Sequence, residues 1–406
     1  MYKIIILTLL FLDFGYQLIK AYLSWKQKDK PMPENVRDVY DEERYSRWQA
    51  YSAEKRRLYL FSGTAAFAVS LLLFATDILS GVYGLLPGSE GLRSVLLLMI
   101  YVAVVSVINL PFSYYHTFYI EERYGFNRST RKTFLSDSVK EYVLQALLCI
   151  GLYLLAAWLY GIMGSGFFVA FYAVVVVFML GMSMFSMSLQ KIFYKFTPLE
   201  EGELRTALAE MFEAEGFRLK DIYVKNASSR TTHANAFCAG LGKFKNISLD
   251  DNLVNNFSPR EITAVFAHEL AHFKHRDTAK MTVYSLLMLL VLTLVVAAMI
   301  LVPQISTDFG FPGASLAFAV ILLMSSVLNP VMTVLGIPQS AMSRRFEYRA
   351  DRFAARQGYG SELVSALKRL HGDSLSNLNP HPLIVLLEYS HPTLSQRIDQ
   401  IEKTNI

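Results

Sequence analysis

His268-Glu269-Leu270-Ala271-His272 is followed, nine residues after His272, by Met281–Val302, which reads MTVYSLLMLLVLTLVVAAMILV. The first stretch has the spacing of a metal site. The second holds no charged residue, and about 20 apolar residues suffice to cross the hydrocarbon core of a bilayer. A site for hydrolytic chemistry is therefore placed beside a membrane helix, and the rest of the chain is read outward from that junction.

Six further stretches have the length and apolarity of a span: Ile4–Leu23, Leu58–Leu79, Val95–Phe112, Val143–Ile162, Phe167–Met187 and Ala314–Ile337. The composition agrees, with 53% hydrophobic and 18% charged residues in 406, against about 25% charged in an average soluble domain. A disordered chain, a collagen and a nucleic-acid-binding arm are excluded. Cys149 lies in an apolar run and only Cys238 remains to pair with it, so a disulfide framework is excluded too. The first stretch begins like a signal peptide, with Lys3 before an apolar core. It carries Asp13 and lacks a clear small-residue cleavage site, so it reads as a retained span. Asp13 and Asp77 are polar residues within spans, facing water or lying near helix ends.

The loops alternate in charge. Trp25–Arg57 holds nine Lys or Arg and Ser113–Glu141 holds five, whereas the turns near Gly84, Gly164 and Thr307 hold almost none. The positive-inside rule places the basic loops, the polar regions and the C-terminus in the cytoplasm, with the N-terminus outside. The expected organisation is residues 1–189 with spans one to five, 190–280 as the first part of a catalytic domain, 281–339 with spans six and seven, and 340–406 as its second part. The chain ends Lys403-Thr404-Asn405-Ile406, without a retrieval signal, and has few loop insertions. Both features favour a bacterial inner membrane over the endoplasmic reticulum of a eukaryote.

H-E-x-x-H on a helix puts two imidazoles on one face, where both bind one zinc, with the glutamate beside them as general base. The helix has a start signal. Ser258-Pro259-Arg260-Glu261 is a capping box with proline at the first helical position. Ile262, Val265 and Phe266 follow at helical spacing, and no proline or glycine intervenes before Pro303. A catalytic zinc takes three protein ligands and keeps one position open. His275, seven residues after His268, cannot close a facial triad from the same helix. Glu347 is the better third ligand. Asp351, one turn later, suits a carboxylate that orients a ligand histidine. His272 lies nine residues before span six and Glu347 ten after span seven. Helix through both junctions would set them at about the same height, 13 to 15 Å beyond the membrane spans.

Further motifs extend the pattern: Tyr119-Ile120-Glu121-Glu122-Arg123-Tyr124-Gly125-Phe126-Asn127, His233-Ala234-Asn235-Ala236-Phe237, Ser343–Asp351, and Ser390-His391-Pro392 with Arg397. With His268–His272 they resemble the type I CAAX prenyl proteases, and the likeness spans nearly the whole chain. The resemblance implies a mainly α fold. Seven transmembrane helices would surround a water-filled chamber, capped by a cytoplasmic α+β zinc metalloprotease domain of gluzincin type. It implies removal of the terminal tripeptide from prenylated proteins whose last four residues begin with cysteine. It implies one Zn2+ per chain on His268, His272 and Glu347, with Glu269 as base. Asn235 would lie on a substrate-binding edge strand, and His391 and Arg397 near the scissile carbonyl or substrate. The partners expected are a peptide or protein substrate and the lipid bilayer, with no nucleic acid.

The residues fit these roles. Asn235 lies in Thr232–Gly240, between extended segments Ile222–Val224 and Asn246–Leu249, where a strand edge holds a peptide by main-chain hydrogen bonds. His391 precedes Pro392 in a loop, from which an imidazole reaches a developing oxyanion. A general quality-control protease of membrane proteins, acting without prenylation, would share every one of these residues.

Overall fold

The computed structural model describes residues 1–239 and 244–404. It opens with α1 (Tyr2–Gln27) and α2 (Glu42–Ala75). The short α3 (Ile78–Leu85) leads to α4 (Glu90–Tyr115), capped by Ser89. Then come α5 (Arg131–Met163), capped by Thr130, and α6 (Phe167–Met184). Six continuous stretches among the described residues are long and apolar enough to cross a membrane. Seven spans were expected and six stretches are found: the expected spans overlap these six, with the fourth and fifth both on one 52-residue stretch, Arg131–Met182. The only break in it is an uncharged three-residue turn, Gly164–Gly166, where Gly164 takes φ 55°. The left-handed region there is open to glycine without steric cost. Asp77 is not inside a span. It stands between α2 and α3 and pairs with Lys3 at 3.0 Å.

The bundle is packed at its two ends and open between them. Far from the catalytic domain, Phe74, Leu97, Leu98, Leu159, Phe167, Ile300 and Phe318 form a closed core. No residue is buried from Phe11 to Lys20 in α1, Ser52 to Leu73 in α2, Ala103 to Tyr115 in α4 or Arg131 to Leu152 in α5. A helix packed against neighbours buries one stripe along its whole length. These helices bury none at mid-height, so their inner faces border open space. Gly15, Gly151 and Gly336 agree, with no atom within 4 Å of an added Cβ.

After α7 (Ser186–Gln190) the chain enters a mixed sheet with strand order β1-β2-β4-β3. Its strands are β1 (Phe196–Pro198), β2 (Arg218–Lys225), β3 (Ala236–Ala239) and β4 (Phe244–Asp250). β2 and β4 are parallel, and β3 runs antiparallel to β4 on the sheet edge. Gly240, the end of the expected Thr232–Gly240 stretch, lies outside the described residues. Helices α8 (Glu203–Ala214), α9 (Asp251–Asn256) and α10 (Pro259–Lys274) complete this half. Leu208, Phe212, Ile247, Leu249, Phe266 and Leu270 are its core.

The chain returns through α11 (Asp277–Leu301), α12 (Pro303–Thr307) and α13 (Leu316–Leu322) to α14 (Leu328–Ala354). Helices α15 (Gly360–Asp373), α16 (Pro382–Glu388) and α17 (Leu394–Glu402) close the second half. Both basic loops join its core. Val36, Trp48, Tyr51, Ile120 and Phe126 pack with Ala264, Leu363 and Ile398. Helix runs unbroken from the last span through Glu347, as expected. It does not run unbroken from α10 into α11. His275 and Arg276 separate them, with Arg276 left-handed at φ 55°.

Candidate active site

The capping box expected at Ser258 is present. Its Oγ accepts from Glu261 N at 3.3 Å, and Glu261 Oε2 accepts from Ser258 N at 2.9 Å. This satisfies two of the backbone donors that every helix start leaves free. The buried stripe Ile262, Phe266 and Leu270 then fixes the rotation of α10, which turns His268 and His272 toward α14. Glu347 faces them. His268 Nε2 lies 3.2 Å from Glu347 Oε2, His272 Nε2 lies 3.4 Å from Glu347 Oε1, and the two Nε2 atoms are 3.2 Å apart. Tetrahedral ligands at 2.0–2.1 Å from an ion stand about 3.3 Å from one another. The triangle therefore has the size that one metal ion requires. Glu347 Oε2 is also buried without a hydrogen-bond donor, as a carboxylate reserved for a cation would be.

Each imidazole is oriented from its other side. His268 Nδ1 lies 2.9 Å from Asp351 Oδ1, and His272 Nδ1 lies 3.1 Å from Asp277 Oδ2. Donating Nδ1–H leaves both Nε2 lone pairs aimed at the same point. Each carboxylate is held in turn by an arginine: Asp351 by Arg397 at 2.6 and 3.0 Å, and Asp277 by Arg349. Asp351 stands where the spacing argument put it. Asp277 and Arg349 were not singled out by that argument. Asp277 reaches His272 only because Arg276 turns the chain back, a conformation with no signature in the residue pattern.

The field at this point favours a cation. Burial alone would depress the His268 imidazole, and Arg397 adds to that. The Asp351 and Glu347 carboxylates beside it reverse the sign and raise its pKa to about 9. A metal-free site captures a proton in place of the ion.

A cavity of about 180 Å³ opens on the cluster, lined by Asn235, His268, Glu269, Glu347, His391 and Arg397. Glu269 is half-buried at its mouth. His391 Nε2 is 3.4 Å from Glu347 Oε1, and its Nδ1 is 2.9 Å from Ser390 Oγ. His391 is exposed, and its partial desolvation against the cavity wall holds its pKa below the ordinary value, Glu347 opposing this and Arg397 adding to it. A neutral imidazole whose Nδ1 accepts from Ser390 presents Nε2–H to the cavity. Arg397 is buried, and its guanidinium is committed to Asp351, with Nη1 3.8 Å from Glu347. Asn235 is exposed just before β3, and its Oδ1 accepts from Ala236 N at 2.8 Å. The outer edge of β3 has no partner strand among the described residues. The structure thus brings together all eight residues singled out from the sequence.

Residues 21–190 match the family model for the CAAX prenyl protease N-terminal region with five membrane helices, and residues 198–405 match that for peptidase family M48. The probable CAAX prenyl protease 1 of Schizosaccharomyces pombe is 33% identical, over 96% of this chain and 85% of its own length. The CAAX prenyl protease 1 homolog of Arabidopsis thaliana is 30% identical, over 95% and 94%, and that of Homo sapiens 27%, over 91% and 88%. A crystal structure of Ste24p from S. mikatae superposes with a TM-score of 0.91 at 28% identity, covering 99% of both chains.

Proposed function

The chain belongs to the CAAX prenyl protease family, with its M48 peptidase domain, and from that premise we propose that it is a zinc endopeptidase cutting near the C-terminus of prenylated CAAX substrates. It is a multi-pass membrane metalloprotease whose substrate is a peptide or protein. The observation that carries the reading is the single cavity in which Glu269, His391 and Asn235 surround the His268-His272-Glu347 triangle. Two imidazoles and one carboxylate with an open fourth position are the donor set of a catalytic zinc. Zinc held there would supply Lewis-acid chemistry, acidifying a water and polarising the scissile carbonyl.

The residues of the chain do the rest. Glu269 takes the proton of the attacking water and delivers it to the leaving amine. His391 donates Nε2–H to the oxygen that gains charge at the attacked carbonyl, a contribution of about 3 to 4 kcal/mol when a comparable donor is removed elsewhere. The free edge of β3, with Asn235 at its start, pairs with the extended substrate backbone. Arg397 acts through Asp351, which fixes His268. The open middle of the bundle gives an apolar substrate tail room beside the site. The basic loops that pack into the catalytic core support a cytoplasmic active site.

The test compares one CAAX peptide with and without its prenyl group, using zinc-loaded protein in detergent. Preference for the prenylated form supports the reading. Equal cleavage of both would replace it with general membrane proteolysis.

A further inference from the structure

Helix α16 ends without the usual local devices. No basic residue stands in its last turn, and Tyr389, Ser390 and His391 follow it where a glycine would serve. The last carbonyls of a helix have no amide donors of their own and need partners from elsewhere. Arg344 of α14 supplies them. Its Nη1 donates to the carbonyls of Val385 at 3.0 Å and Tyr389 at 2.6 Å, and its Nη2 donates to that of Leu386 at 3.2 Å. The planar guanidinium fixes all three oxygens in one geometry, which the flexible point charge of a lysine does less well. Arg344 is half-buried, whereas its neighbour Arg345 is exposed.

The held segment carries His391, in the link of residues 390–392 between α16 and α17. Arg344 pins the start of the link at the Tyr389 carbonyl. A capping box pins its end, with Thr393 N donating to Gln396 Oε1 at 3.0 Å and Gln396 N donating to Thr393 Oγ1 at 3.3 Å. Pro392 biases the backbone of His391 toward extended conformations. The imidazole is thereby set with Nε2 3.4 Å from Glu347 Oε1. Arg344 and Glu347 stand three residues apart on α14 and share one face of it. One helix therefore carries both a residue of the metal triangle and the clamp on the loop that faces it. We propose that Arg344 is a positioning residue for the reaction, holding His391 against the carbonyl under attack. The inference rests on the oxyanion role given to His391 above. Glu388 ties α16 separately to α1, accepting from Tyr16 Oη at 2.9 Å and pairing with Lys20 Nζ at 2.7 Å. Loss of Arg344 therefore frees the link without undocking the helix.

The test uses full-length, metal-loaded protein in detergent and one CAAX peptide. The variants are Arg344→Gln, Arg344→Lys, His391→Ala, and Arg344→Gln combined with His391→Ala. His391→Ala lowers kcat about 10²- to 10³-fold. Arg344→Gln lowers kcat about 10- to 100-fold, the scale of a small misplacement, with KM and metal content as in the wild type. Arg344→Lys restores part of the loss. The double variant decides, because residues that act through one another are not additive. Once His391 is absent, Arg344→Gln costs no more than about twofold. An equal loss in both backgrounds would make Arg344 a general structural residue and overturn the proposal. So would loss of metal in Arg344→Gln, which would assign the residue to Glu347. Wild-type kcat in His391→Ala would remove the oxyanion reading itself, and the proposal with it. Hydrogen exchange reads the clamp without a substrate. In Arg344→Gln the amides of residues 389–391 exchange about tenfold faster, while those of α15 keep their wild-type rates. Unchanged exchange at residues 389–391 would overturn the clamp.

Discussion

His272 Nδ1 stands 3.1 Å from Asp277 Oδ2, across a left-handed turn at Arg276 that separates the catalytic helix from the membrane helix after it. The contact makes the start of a membrane span part of the metal site. Asp277→Ala is expected to lower metal affinity about 10- to 100-fold, the usual cost of losing a carboxylate behind a ligand histidine. Metal content after dialysis against a graded chelator checks this, and wild-type retention would refute it.

The raised pKa of His268, to about 9, gives metal binding a pH dependence. Below about pH 9 the metal-free imidazole is protonated, so binding a metal releases that proton. Apparent affinity therefore rises with pH, about tenfold per unit, and levels off above about 9. Calorimetry in two buffers of different ionisation enthalpy counts the proton. The same shift stabilises the metal-free protein fully below the unfolded pKa of about 6.5, and this is lost as pH rises through about 9.

Arg397 and Asp351 form a buried pair at 2.6 and 3.0 Å. Arg397→Met leaves a buried carboxylate uncompensated, at about 3–5 kcal/mol. Adding Asp351→Asn should recover part of that loss. If Arg397 served substrate alone, Arg397→Met would raise KM and leave the melting temperature unchanged.

Packing at the ends and openness between them predict unequal mutational costs. Leu98→Ala, at a fully buried position in the far core, should cost about 2–5 kcal/mol. Gly336→Ala lies where an added Cβ meets nothing, and should be neutral or stabilising by up to about 1 kcal/mol. Thermal unfolding in detergent compares them. A severe loss at Gly336 would mean that the middle of the bundle is packed.

Much of the site was legible because it is encoded locally. His268, Glu269 and His272 share one helix, as do Glu347 and Asp351, and spacing alone sets their faces. Pairing the two helices followed from their equal distance to the membrane. What escaped was non-local. Asp277 joins the site through the backbone angles of Arg276. The apolar side chains that face the open middle of the bundle have the same composition as those that face lipid. The break between α5 and α6 at Gly164–Gly166 was legible from its glycines, but its three uncharged residues leave the two helices within one continuous apolar stretch, so six stretches stand where seven spans were expected.

The central claim is that Glu269 moves the proton in a reaction that the His268-His272-Glu347 site makes possible. The most direct measurement is metal content and peptide hydrolysis on the same preparation of Glu269→Gln. The geometry predicts one metal per chain, as in the wild type, with hydrolysis reduced about 10²- to 10⁴-fold, the usual range for general acid–base catalysis. Wild-type hydrolysis by the metal-loaded variant would contradict the mechanism.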